Sequence, residues 1–342
     1  MVQNSTNNKL AGFEFFRFFF MIWICLIHIW TPFRICHGGI GVDFFFISAG
    51  FFLFKGFEKA QLSVFHYSRK RFFRLFPVYI IGVILGYIIS IFDHIKDGAT
   101  ISPFGVAESF FTESLMIQDT GWFTHLTLGN PVSWYVSVLF IGSILLYAAL
   151  RFNSSLTINI LIPLFCLGYY TLYAHANYSD ITFFDQAIGP VFLPLGRGVA
   201  GLALGILIAK ASPALSNCSI REKTFLHLLA LVSLVLVIAY ILFIEENHDT
   251  LAIFIFVIIV TSCSIPDSWF NRIFNHNIWI FCGSITYEML MMQIPCRYLI
   301  NFGFSFFPHH RNLWVLAYLL LTIISAYLVK IVLTRLLPKL AR

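Results

Sequence analysis

The sequence predicts an all-α, polytopic integral membrane protein of about ten transmembrane helices with both termini cytoplasmic. Three observations lead there. Of the 342 residues, 59% are hydrophobic and only 11% are charged, too little polar surface to clothe a water-soluble globule of this size. Apolar runs of bilayer-spanning length recur from Phe13 to Leu337 with short polar breaks. The basic residues gather in alternate connections, as the positive-inside rule requires. The whole chain, 1–342, reads as a single membrane-embedded domain with no separate soluble domain. The longest polar connection, Asp93 to Asn130, still holds the apolar stretch Phe104 to Ile117 and reads as a loop with an interfacial helix.

In chain order, the polar start Met1 to Ala11 leads into a run that carries Glu14 and Arg17 and lacks a small-residue cleavage site, so no cleaved signal peptide is expected. Spans are expected at 13–34, 38–57, 72–92, 132–151, 156–175, 188–210, 224–245, 249–265, 278–300 and 312–337. Lys55, Lys59, Arg69, Lys70, Arg71 and Arg74 lie between the second and third. Later connections on that side carry Arg151, then Lys210, Arg221 and Lys223, then Arg272. The opposite connections are acidic: Asp93, Asp97, Glu108, Glu113 and Asp119, then Asp180 and Asp185, then Glu245, Glu246 and Asp249. The basic set faces the cytoplasm, and an even number of spans returns the tail there. This placement in a cell (inner) membrane also accounts for the net charge of +6, which forms no soluble basic face for nucleic acid. The seven cysteines show no paired spacing for a metal or a disulfide framework and read as small buried apolar residues. No internal repeat of the inverted-transporter kind is found.

Ionisable side chains inside the spans are the functional candidates, because such groups cost several kcal/mol unless they face protein or water. Arg17 and His28 both fall in the first span. Eleven residues turn a helix by about 1100° and rise about 16 Å, so the two project from one face at different depths. The second span opens with a glycine-rich block, Gly38 to Gly50, carrying Asp43. An antiparallel hairpin puts His28 and Asp43 at similar depth, where a carboxylate could fix the imidazole tautomer and leave the other nitrogen as a base. A purely structural bond fits the spacing equally well. Arg71 and Arg74 lie on neighbouring turns at the mouth of the third span, either as topology signals or as an anion site. Arg197 and Glu288 are opposite charges in the sixth and ninth spans that could neutralise each other.

Taken in order, these segments resemble the acyltransferase family 3 membrane proteins. The resemblance rests on five parts: Arg17 with His28; Gly39-x-Gly41-Val42-Asp43-x-Phe45-Phe46-x-Ser48-x-Gly50; Arg71-x-x-Arg74 followed by Pro77; Arg197 with Gly205; and Gly283-x-Ile285-Thr286-Tyr287. It implies an O-acyltransferase that moves an acyl group, acetyl by family preference, from cytosolic acyl-CoA to a hydroxyl of an envelope polysaccharide, lipopolysaccharide or other glycolipid. It further implies that His28 is essential, that Arg71 and Arg74 hold the acyl-CoA, and that Arg17 and Asp43 support the site, with Trp134 and Tyr287 as supporting positions. Two departures stand out. Trp134-Tyr135-Val136-Ser137-Val138-Leu139 lacks the glutamate of the family's Trp-Ser-Leu-x-x-Glu, and Gln293 replaces a histidine often found before proline. The chemistry expected of His28 is either general-base catalysis or an acyl-histidine intermediate. The rival readings are a glycan or lipid exporter using the same charged path and a non-catalytic scaffold; the oligomeric state stays open.

Overall fold

A computed structural model describes residues 10–29, 37–96, 102–121, 129–175, 187–188, 191–244, 249–306 and 311–336. The described residues are almost entirely helical: α1 (Ala11–Ile27), α2 (Gly41–Lys59, after a 3-10 turn Gly38–Ile40), α3 (Val64–Lys96), α4 (Pro103–Ser114), α5 (Ser133–Phe152), α6 (Ser154–Leu156), α7 (Ile162–His175), α8 (Leu193–Ser216), α9 (Ile220–Phe243), α10 (Asp249–Ser264), α11 (Trp269–Ile273), α12 (Asn277–Ser284), α13 (Thr286–Phe306) and α14 (Arg311–Leu336). A π-helical turn, Thr157–Leu161, joins α6 to α7. Ahead of α8, Ala187–Ile188 and Val191–Phe192 form one short antiparallel pair.

Local chemistry sets many of these boundaries. The Ser102 hydroxyl accepts from Gly105 N–H (3.3 Å) and Pro103 occupies the first turn of α4. A Ser219–Glu222 capping box starts α9. Asn153 ends α5 in an extended conformation while its side chain caps the next turn through Leu156 N–H at 2.9 Å.

Among the described residues, seven helices are long and apolar enough to cross a membrane: Gly38–Lys59, Val64–Phe92, Ser133–Phe152, Ser154–His175, Leu193–Ser216, Ile220–Phe243 and Asn312–Leu336. The other expected spans fall on shorter or broken elements. The run 13–34 overlaps the 17-residue α1, which starts at Ala11 and ends at Ile27 with His28 as its C-cap. The run 249–265 is the 16-residue α10. The run 278–300 is not one helix: it breaks at Ile285 between α12 and α13, where the Thr286 hydroxyl bonds back to the Gly283 carbonyl at 2.9 Å. Gly283 lies against the backbone and carboxylate of Glu14, with no room for a Cβ, so the break lets α12 lean on α1. The third span begins at Val64 rather than at 72, which puts Arg69, Lys70, Arg71 and Arg74 on the early turns of α3, while Lys55 and Lys59 end α2. The interfacial-helix expectation for 93–130 corresponds to α4, packed against α3 through the Tyr79 and Tyr87 hydroxyls.

The most intimate pair is α2 with α8. A Cβ at Gly50 would strike the Leu202 backbone and one at Gly205 the Ile47 carbonyl, so the two backbones are in direct contact. In a lipid solvent such small-residue contacts, rather than hydrophobic exclusion, hold helices together. Phe20, Phe44 and Phe256 interlock α1, α2 and α10 beside this seam.

Candidate functional site

The bundle has two chemically different ends. One carries the α1–α2 turn and the starts of α2, α8 and α10; the other carries the start of α1, the α2–α3 connection and the start of α13. Arg17 sits near the second end, half-buried, paired with Glu14 at 3.0 Å and stacked over the Phe52 ring at 4.9 Å. Arg71 and Arg74 join it there, and Arg74 lies within electrostatic reach of both Arg71 and Arg17. Among the described residues neither Arg71 nor Arg74 has a carboxylate partner, and buried Arg71 Nε has no hydrogen-bond partner. Tyr135 feels the charges of Arg71 and Arg17. Tyr287 donates to the Leu75 carbonyl at 2.8 Å, tying α13 to α3 one turn beyond Arg71. Three arginines against the one carboxylate of Glu14, with two tyrosines, thus make a net positive patch.

His28 is at the other end of α1. Its Nδ1 contacts the Ile24 carbonyl at 2.7 Å, and since a carbonyl only accepts, the proton is assigned to Nδ1 and the lone pair to Nε2. The Gln293 side chain interacts with the ring, and Arg297, one turn further along α13, donates to the His28 carbonyl at 3.4 Å. Arg17 and His28 therefore mark opposite ends of one helix, as the spacing implied.

Two expected pairings are corrected. Asp43 does not hold His28: its carboxylate takes Arg197 Nε at 2.9 Å and an Arg197 terminal nitrogen at 2.6 Å, both side chains buried. A charged planar fork matches a carboxylate bidentately and outcompetes a neutral imidazole N–H, and the glycine seam of α2 and α8 delivers the two to each other. Arg197 also lies 5.7 Å from the Trp134 ring, which places Trp134 in the same cluster. Nor does Arg197 neutralise Glu288. They stand at opposite ends of the bundle, because Glu288 is in the first turn of α13, near Lys330, which bonds the Ser284 carbonyl at 2.6 Å.

A further acidic centre was not singled out from the sequence. Buried Glu113 of α4 accepts from Gly129 N–H (3.1 Å) and from the hydroxyls of Tyr87 (3.0 Å) and Ser109 (3.3 Å). Burial still raises its carboxyl above the ordinary range. Burial, with the Glu113 charge added, pushes nearby Asp119 up to about 7. Gln293 and Arg297 were also missed as site members. The signal for Arg297 was available, since a charge inside an apolar run is a candidate by default.

The family described as an acyltransferase domain, acyltransferase family 3, matches residues 10–331, nearly the whole chain. The chain belongs to this family. The acyltransferase is therefore a multi-pass membrane enzyme, and the family gives no support to the exporter reading. Comparison with curated proteins and with solved structures finds no match. Within the acyltransferase, the matched region takes in both ends of the bundle, from Arg17 to Lys330.

Proposed function

We propose that this enzyme transfers an acyl group, acetyl by family preference, from cytosolic acyl-CoA to a hydroxyl of an envelope glycan or glycolipid. The observation that carries the reading is the pair Arg71 and Arg74, partly buried guanidiniums without acidic partners among the described residues, which suit the phosphates of a coenzyme A thioester. With phosphates there, the thioester arm extends along the axis of α1, about 16 Å from Arg17 to His28. His28 has no carboxylate partner among the described residues and a lone pair on Nε2, which suits a nucleophile. Nε2 attacks the thioester carbonyl, the C–S bond breaks, coenzyme A leaves as thiolate, and the acyl group rests on His28. A hydroxyl of the acceptor then attacks the acyl carbon and displaces His28 as neutral imidazole, and the proton it gives up to solution balances the departed thiolate.

In this reading the ten helical runs span a cell (inner) membrane with both termini and the arginine end facing the cytoplasm. Cysteines replacing exposed Asn217 and Ser102 should label from the cytoplasm and from outside, respectively; both from one side contradicts the arrangement. For the activity, purified enzyme in liposomes with labelled acetyl-CoA and crude envelope glycan should label the glycan. No thioester-dependent incorporation into any envelope fraction sinks the proposal.

A further inference from the structure

The sequence led to a histidine–carboxylate pair at His28 and Asp43; the structure holds such a pair, but between other residues. His37, just ahead of the 3-10 turn that opens α2, places Nδ1 3.2 Å from Oδ1 of Asp249, the first residue of α10. Both are buried, His37 at 6% and Asp249 at 0% exposure. Tyr240 near the end of α9 donates its hydroxyl to the same Asp249 oxygen at 2.7 Å, and its ring stacks on the imidazole at 4.3 Å and 13°. Three helices therefore fix the ring in position and orientation. With the carboxylate accepting from Nδ1–H, the lone pair belongs to Nε2. That nitrogen is buried and has no partner among the described residues. A buried acceptor left open, on a ring held by a carboxylate behind it, is the arrangement of a general base awaiting a proton donor.

The dyad stands beside the other buried ionisable groups at this end of the bundle. Arg197, paired with Asp43, contacts the Gly39 carbonyl at 3.5 Å, two residues from His37, so the buried ion pair and the dyad adjoin. His28 closes α1 and His37 opens the α2 segment, so both stand at the same end of the α1–α2 hairpin.

We infer that His37, oriented by Asp249, is the base that activates the acceptor hydroxyl. This rests on the acyl-transfer reading above. In the step, the hydroxyl proton passes to His37 Nε2, the freed oxygen forms the ester bond to the acyl carbon, and the bond from that carbon to His28 breaks. The proton on His37 then leaves to water at that face.

The test compares donor binding with transfer in intact, liposome-reconstituted enzyme. His37→Gln should bind acetyl-CoA with wild-type affinity and transfer at least about 100-fold more slowly, the low end of what a positioned base contributes. Asp249→Asn, which keeps an acceptor for Nδ1–H, should slow transfer less while leaving donor affinity unchanged. In His37→Ala, added imidazoles should restore transfer, faster as their pKa rises, a dependence that a purely structural histidine does not produce. Transfer by His37→Gln within about threefold of wild type, or absent rescue in a His37→Ala protein of normal abundance and melting temperature, overturns the assignment. Wild-type enzyme that moves no acyl group from acetyl-CoA fails the acyl-transfer reading instead.

Discussion

Asp43→Asn tests the corrected pairing at the centre of the α2–α8 seam. The substitution keeps shape and hydrogen-bonding atoms but takes from the Arg197 guanidinium, 4% exposed, the charge of its bidentate carboxylate. Breaking one side of such a buried pair typically costs about 3–5 kcal/mol, because the surviving charge remains desolvated. Arg197→Gln should cost a similar amount by stranding Asp43. The double variant Asp43→Asn/Arg197→Gln should cost well below the sum, since no uncompensated charge is left; a coupling of about 2 kcal/mol or more is expected. Denaturant or thermal unfolding of purified protein in one detergent measures all four corners of the cycle. Single variants as stable as wild type, or strictly additive losses, would refute a direct bidentate pair and reopen the pairing of Asp43 with His28.

Replacing Arg71 and Arg74 together by alanine should weaken acyl-CoA binding by an order of magnitude or more with insertion intact, since charge-assisted bonds are each worth about 1.5–3 kcal/mol. Lysines there should rescue only part of it, because an ammonium lacks the planar fork, and unchanged affinity in a direct binding titration would reduce the cluster to a topology signal. Asp119 gives a pH signature. Its carboxyl is pushed up to about 7 by burial and then by the Glu113 charge, whereas an unfolded chain keeps it near 3.8. Between those values the native state binds more protons, so stability should fall as pH rises toward 7 and level off above it. Asp119→Asn should flatten that slope in melting curves taken at pH 5 and pH 8; an unaltered slope contradicts it.

Hydropathy and charge made the helical framework legible because a spanning helix must be apolar along its whole length, a constraint visible in one dimension. The break at Ile285 was not legible, since it depends on a Thr286 hydroxyl bond and on Gly283 meeting Glu14 of another helix. The same division runs through the site. Arg17, His28 and Asp43 stood out as ionisable residues in apolar runs, yet their partners did not, because a partner is set by which helices touch. Spacing along the α1–α2 hairpin suggested His28 for Asp43, but the contact of Gly50 and Gly205 brought Arg197 from 154 residues away. His37 and Asp249 were passed over because both lie at helix starts, where charged and polar residues are ordinary and only burial makes them unusual.

The most direct test of the acyl-transfer account is the activity of His28→Ala. The purified variant, matched to wild type in abundance and unfolding temperature, is assayed in liposomes with labelled acetyl-CoA and envelope acceptor. The account predicts acetyl-CoA binding at wild-type affinity, because the arginine end is untouched, together with transfer lost to background. Substantial labelling of the acceptor by the stable His28→Ala protein would contradict a reacting histidine at the end of α1.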